Sequence, residues 1–143
     1  MIHYRGADVR EALDGLRKEK GDLYESIQLQ FINPATGASV STILDYAAQL
    51  LRPGEETRFK RETSNTFMIV MDGQGYTEVG GRRFDWEAND TVVMPNFLWR
   101  RHVNTGKKDA VLYTVSDAAL MRNIGQYRAQ GKTADGTVVQ LVY

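Results

Sequence analysis

The residues most able to do chemistry lie around Arg58 to Gly73, RFKRETSNTFMIVMDG. Arg58, Lys60 and Glu62 stand at every second position, and the apolar run Thr66 to Met71 then ends at Asp72-Gly73. Alternating charge followed by an apolar run predicts two strands, with a polar site at the mouth of a core. An inward lysine and glutamate can close an ion pair or hold a charged ligand, because a buried charge must be paired. Gln49 is the polar member of an apolar stretch and needs a partner or a ligand if it points inward. The only two histidines are His3 near the N-terminus and His102, and there is no cysteine. Thiolate catalysis, Cys-based zinc sites and disulfides are therefore excluded.

The elements that must position these groups fit one domain, since 143 residues can bury a core without staples. The 18 basic and 18 acidic residues balance, so no net field favours nucleic acid or an anionic membrane. The first residues lack the basic-then-apolar pattern of a signal peptide, and no apolar run approaches the roughly 20 residues of a membrane-spanning helix. A cytoplasmic protein is the expectation.

Asp8 and Glu11 have capping-box spacing, and Val9, Leu13 and Leu16 share a helical face, which predicts a helix over 8–19. Arg17 to Lys20 reads as a solvated charge run. Ile27, Leu29 and Phe31 alternate with polar residues as a half-buried strand, broken by the turn at Asn33 to Gly37. Further strands are predicted at Thr42 to Arg52, Tyr76 to Val79, Arg82 to Trp86, Thr91 to Met94, Trp99 to Asn104 and Ala110 to Val115. Gly80-Gly81 marks a hairpin, and Asn89 can take the left-handed conformation in the turn at Glu87 to Asp90. Ser116-Asp117 is read as the cap of a second helix ending near Tyr127. The tail, Thr137 to Tyr143, is a β-prone run that must pair with the barrel or a partner. Strands every 8 to 12 residues with glycine-rich turns indicate a closed barrel or sandwich. Tyr46, Phe67, Trp86, Phe97 and Trp99 are read as core or interface aromatics. The divisions are a helical arm at 1–22, a barrel at 23–117, and a helix with a tail strand at 118–143.

In order, REALDGL, FINPATG at 31–37, QLLRPGE at 49–55, VMDGQG at 70–75, FDWEAND at 84–90 and MPNFLWRRH at 94–102 resemble the C-terminal cupin domain of gentisate 1,2-dioxygenases and of the related hydroxynaphthoate and salicylate ring-cleaving enzymes. The resemblance implies an all-β, double-stranded β-helix: a cupin jelly-roll barrel with an N-terminal and a C-terminal helix. It also implies that the iron-binding positions of the family fall at Lys60, Glu62 and Arg100, with Thr66 in place of the glutamate many cupins add. His102 matches a second histidine of the motif, and Gln49 matches a glutamine that faces bound aromatic acid in some members.

The ligand-binding set implied is thus Gln49, Lys60, Glu62, Arg100 and His102, with no metal ligands and no cofactor. Lys60 and Arg100 would repel a dication. If all four charged positions face the mouth, Lys60, Glu62 and Arg100 leave one positive charge, suited to a small aromatic carboxylate held on Arg100. Three readings stay open. One is a metal-free structural, oligomerising or acid-binding domain. The second is a metal-independent isomerase or lyase with His102 as catalytic base and Lys60 or Arg100 stabilising an oxyanion. The third is a ring-cleaving dioxygenase component that borrows ligands from a partner chain. Both faces of 66–72 are apolar, so a homo-oligomer, at least a dimer, is expected.

Overall fold

A computed structural model of the protein describes residues 2–142. Helix α1 (Gly6–Leu16) is followed by strands β1 (Ile27–Phe31), β2 (Asp45–Leu51), β3 (Lys60–Glu62), β4 (Thr66–Asp72), β5 (Gln74–Val79), β6 (Arg82–Glu87), β7 (Thr91–Met94), β8 (Arg100–Asn104) and β9 (Ala110–Ser116). Helix α2 (Ala118–Asn123) then leads to β10 (Ala129–Lys132) and β11 (Val138–Leu141). The strands form two antiparallel sheets, ordered β1-β2-β9-β4-β7 and β11-β10-β3-β8-β5-β6. This is the all-β cupin jelly roll the sequence pointed to.

The five-stranded sheet carries apolar residues on both faces. Its inner face supplies Leu51, Met68, Val70, Val92, Met94, Ala110 and Leu112 to a core completed by Val79 and Trp86 from the opposite sheet. On its outer face, Val9 and Leu13 of α1 pack on Ile27, Ala48, Leu50 and Val111. The apolar side of β1, Leu29 and Phe31, therefore belongs beneath the helix. Gln28 and Gln30, on the other side of β1, line the barrel mouth.

Several local expectations change. The helix starts two residues early, and its N-cap, Arg5, makes no side-chain cap bond. Asp8 is taken instead by the Arg5 guanidinium, with both nitrogens at 2.8 Å. The helix also stops at Leu16, short of residue 19. Beyond it, Arg52 donates to the carbonyls of Arg17, Glu19 and Lys20, and Arg17 pairs with Asp109 at 2.7 Å. The supposed solvated charge run is thus tied down by its backbone. Strand β2 begins only at Asp45, because the Ser41 hydroxyl accepts from Ile43 and Leu44 N–H and holds 41–44 as a turn.

Helix α2 is shorter than expected, ending at Asn123 ahead of Gly125 at φ +71°. Asp117 does not cap it, since its carboxylate accepts from the backbone and side-chain N–H of Asn65. The hairpin at Gly80-Gly81 is as read, with both residues at positive φ, and Asn89 has φ 76°. Strand β11 pairs with β10, which pairs with β3, so the tail extends the six-stranded sheet, with Tyr143 outside the described residues.

One glycine ties this tail to the mouth. A Cβ on Gly131, opposite Lys60 in the β3/β10 register, would lie 2.3 Å from the buried Tyr24 ring. Gly131→Ala is therefore expected to cost about 1–3 kcal/mol. Gly15, in α1 with open space around its Cα, is the control: Gly15→Ala should gain up to about 1 kcal/mol of helix propensity. Urea unfolding midpoints of the two variants check both signs.

Candidate functional site

The mouth is built around a residue the sequence reading passed over. Between α1 and β1 the chain makes a tight loop in which Asp22 and Ser26 exchange backbone hydrogen bonds, both 2.9 Å. The Asp22 carboxylate accepts from the N–H groups of Tyr24 and Glu25, at 2.7 and 2.9 Å. Ser26 takes φ 59°, and Gly21 lies so close that a Cβ would come 2.8 Å from the Ser26 carbonyl oxygen. The Ser26 hydroxyl bonds to Glu55, and the Tyr24 ring lies over Gly131. This pinned loop delivers the Glu25 carboxylate into the mouth, where the residue is buried.

Strands β3 and β8 supply the rest. Lys60 pairs with Arg100 in the sheet register, and both side chains turn inward. Lys60 Nζ donates to Glu25 at 2.8 Å and lies 3.5 Å from Glu62. Arg100 bridges the two carboxylates, donating to Glu62 at 2.9 Å and to Glu25 at 3.2 Å. The second Glu62 oxygen accepts from the Tyr127 hydroxyl at 2.6 Å. Tyr127, which was assigned to the end of a helix, instead closes the cluster.

The expected leftover positive charge is not there. Two cations, Lys60 and Arg100, face two carboxylates, Glu25 and Glu62, all with side chains 7–8% exposed. Burial pushes the Glu62 carboxyl up, but Arg100 and Lys60, helped by Tyr127, outweigh it and hold it at about 2. Burial likewise opposes ionisation of Glu25, and Lys60 and Arg100 again lower it overall. Burial disfavours the Arg100 cation, yet Glu62 and Glu25 raise its pKa and keep it charged. A signal for Glu25 did exist: two inward cations against one inward acid require another carboxylate, and Glu25 adjoins the first strand.

Gln49 and His102 also point inward, and both are buried. Gln49 donates through Nε2 to the Glu25 carbonyl at 3.1 Å and to its carboxylate at 2.5 Å. His102 is held by Thr57, whose N–H donates to the His102 carbonyl and whose hydroxyl accepts from the His102 N–H, and by a 2.8 Å bond between Nδ1 and the Thr77 hydroxyl. Trp86 donates to the same hydroxyl at 2.9 Å. With Trp86 as donor, the Thr77 proton is left to serve Nδ1; the opposite tautomer would strand a hydroxyl proton in a fully buried residue. His102 is therefore the Nε2–H tautomer. Burial lowers its pKa to about 4, with Arg100 and Lys60 adding to the effect against the opposing pull of Glu25. With its Nδ1 lone pair engaged by Thr77, His102 is poorly set for the general-base role read from the sequence.

The structure thus brings Gln49, Lys60, Glu62, Arg100 and His102 together around one cavity of about 160 Å³. The aromatics largely follow expectation. Trp86 is core, while Phe97 and Trp99 lie on the outside beneath the Arg61 guanidinium, 4.3 and 4.4 Å from their centroids. The donor set does not suit the iron of the family. The two carboxylates are spent on Lys60 and Arg100, and Nδ1 of His102 is engaged by Thr77. Among the described residues, no three His, Cys, Asp or Glu side chains are grouped to hold a metal.

A barrel of two sheets with its polar cluster at the mouth defines a cupin, and residues 48–116 match the cupin domain family model. More narrowly, the chain is a cupin related to the gentisate and salicylate dioxygenases. It is 35% identical over 138 residues to a 5-aminosalicylate 1,2-dioxygenase of Comamonas sp, covering 95% of this chain and 37% of that protein. It is 33% identical to gentisate 1,2 dioxygenase 1 of Aquipseudomonas alcaligenes, covering 90% and 37%. Among solved structures, salicylate 1,2-dioxygenase of Pseudaminobacter salicylatoxidans superposes with a TM-score of 0.81 at 25% identity, over 90% of this chain and 38% of that one. The chain thus spans 37% of the length of these two curated relatives. Among the described residues no helix is long and apolar enough to cross a membrane.

The electrostatics fix a pH response. The folded pKa of His102, about 4, lies below its ordinary 6.5, so between these values the unfolded chain binds a proton that the native state refuses. Stability is then full above pH 6.5 and falls as pH drops toward 4, by at most about 3 kcal/mol from this group. Glu62, lowered from 4.5 to about 2, extends the loss below pH 4.5. In urea unfolding, His102→Gln should flatten the first leg and leave the second. Glu25→Gln leaves a buried cation uncompensated and should cost about 3–5 kcal/mol at neutral pH.

Proposed function

We propose that this chain acts as a metal-free cupin domain whose role is assembly, with the charged mouth serving as an internal lock. The observation that carries this reading is the closure of the cluster: Glu25 and Glu62 each contact both Lys60 and Arg100. Of the three positions that the resemblance assigns to iron ligands, Lys60 and Arg100 are cations, and the carboxylates of Glu62 and Glu25 are engaged in neutralising them. The surplus charge that would have favoured an aromatic carboxylate is cancelled by Glu25, which speaks against the acid-binding alternative. The dioxygenase activities named for the relatives belong to proteins of which this chain matches 37%.

The partner we propose is a second copy of this chain. Helix α1 covers the β1, β2 and β9 part of the outer sheet face, and the β4/β7 part stays bare. There Phe67, Met71 and Val93 are about half exposed. Phe67 and Val93 also line an apolar groove with Leu44 and Val115. A bare apolar patch rimmed by polar residues is typical of a protein interface.

Light scattering at low micromolar concentration is expected to give a dimer or larger. Phe67→Asp with Val93→Lys should shift it to monomer with the circular dichroism of the barrel retained. A monomeric wild type overturns the assembly reading. Elemental analysis should find no stoichiometric iron, manganese or zinc. About one metal per chain, lost in Glu62→Ala, overturns the metal-free reading.

A further inference from the structure

The outer face of the six-stranded sheet takes no part in the mouth, and it carries a run of interleaved rings and cations. The Arg61 guanidinium lies between Phe97 and Trp99, 4.3 and 4.4 Å from their centroids. Lys132 Nζ lies 4.7 Å from the Trp99 centroid and 5.3 Å from that of Phe59, and the Arg101 guanidinium lies 5.0 Å from Phe59. Further along the sheet, Arg83 covers Tyr76 at 3.7 Å. Phe97 takes its place at a conformational cost, because a bulky residue at φ 57° is strained. Its N–H is tied to the Glu62 carbonyl at 2.7 Å, and its ring stays 40% exposed.

Two of these stacked cations show what the face accepts. Arg101 holds Glu78 at 3.0 Å and Glu56 at 3.6 Å, and Arg83 holds Asp85 at 2.9 Å. Arg61 and Lys132 differ, since no carboxylate of the described residues pairs with either, and Arg61 Nε donates instead to the neutral Gln130 at 2.8 Å. Both are only half-buried. A guanidinium stacked between rings keeps its N–H edge free for a carboxylate, and the rings order the side chain before a partner arrives. Arginine among large aromatics is also the composition of interface hot spots. The spacing is specific as well. Arg61 faces Gln130 across the β3/β10 pair, so Lys132 is its diagonal neighbour, about 7–8 Å away. Alternate side chains of an extended chain recur about every 7 Å.

We propose that this face docks an extended acidic segment of a partner protein, with carboxylates two residues apart seated on Arg61 and Lys132. A second copy of the chain is disfavoured here, because a twofold contact would set the same cations against each other. Nucleic acid is disfavoured too, since two cations on a chain of zero net charge release few counterions. The face belongs to the other sheet from Phe67 and Val93, so it stands or falls apart from the assembly reading.

The test uses a matched pair of end-capped peptides, one alternating glutamate with threonine and one alternating glutamine with threonine. In an NMR titration that follows the Arg61 Nε–H and Trp99 Nε1–H signals, the acidic peptide should bind in the sub-millimolar range and the neutral one at least about tenfold more weakly. Arg61→Gln with Lys132→Gln changes two half-buried surface side chains. It should keep the circular dichroism and the light-scattering size of wild type while weakening the acidic peptide at least about tenfold. Equal binding of the two peptides, no binding at millimolar concentration, or an unchanged affinity in the double variant overturns the proposal. Tighter binding of an oligothymidylate of equal charge overturns it in favour of nucleic acid, and a smaller oligomer in the double variant overturns it in favour of a second copy.

Discussion

The contact on which this structure depends is the Glu25 carboxylate between Lys60 and Arg100. Without it, two buried cations would share one counter-ion, and a buried uncompensated charge is among the costliest defects a small domain can carry. With it, the cluster is neutral and every formal charge has a partner within 3.5 Å. The loop at 21–26 has the features of a segment whose conformation must not drift. It has an Asx turn at Asp22, a left-handed Ser26, a glycine where any side chain would clash, and a tyrosine packed over Gly131. Strand β10 is drawn into the same arrangement, because it pairs with β3 and provides the glycine beneath Tyr24.

The cluster also ties together elements that lie far apart in the chain. A metal draws side chains from different strands toward one point. Here salt bridges run from the 22–26 loop to β3 and β8, and Tyr127 joins Glu62 from the segment after α2. What a metal would do by coordination, the cluster does by Coulomb attraction and hydrogen bonds. The chemical consequence differs sharply. An iron site presents open coordination positions, whereas this mouth presents compensated charges and a few fixed neutral donors and acceptors.

The outer face of the five-stranded sheet shows a second constraint. Both faces of 66–72 are apolar, but one barrel has only one interior. Helix α1 resolves this for half of the sheet by laying Val9 and Leu13 over β1, β2 and β9. Phe67, Met71 and Val93 remain outside that cover. The same asymmetry accounts for β1, where glutamines face the mouth and leucine and phenylalanine face the helix.

By itself the sequence determined the number and order of most strands, because period-two alternation and Gly/Asn turns are local signals. Gly80-Gly81 and Asn89 adopt the positive φ values that their side chains permit. It also pointed, through the resemblance to the family rather than through periodicity, to Gln49, Lys60, Glu62, Arg100 and His102 as one inward set. What it could not carry was any interaction that closes over a long stretch of chain. Glu25 meets Lys60 and Arg100 from 35 and 75 residues away, and Tyr127 reaches Glu62 across 65. The Asp8 and Asp117 caps failed for a related reason: tertiary or neighbouring donors, Arg5 and Asn65, claimed their carboxylates first. The tautomer of His102 was likewise decided only in three dimensions, where Thr77 on the adjacent strand meets Nδ1 and itself accepts from Trp86. Local periodicity sets which face a residue takes; only the closed barrel decides which charges share a face, and therefore whether the mouth is a cation, an anion or neither.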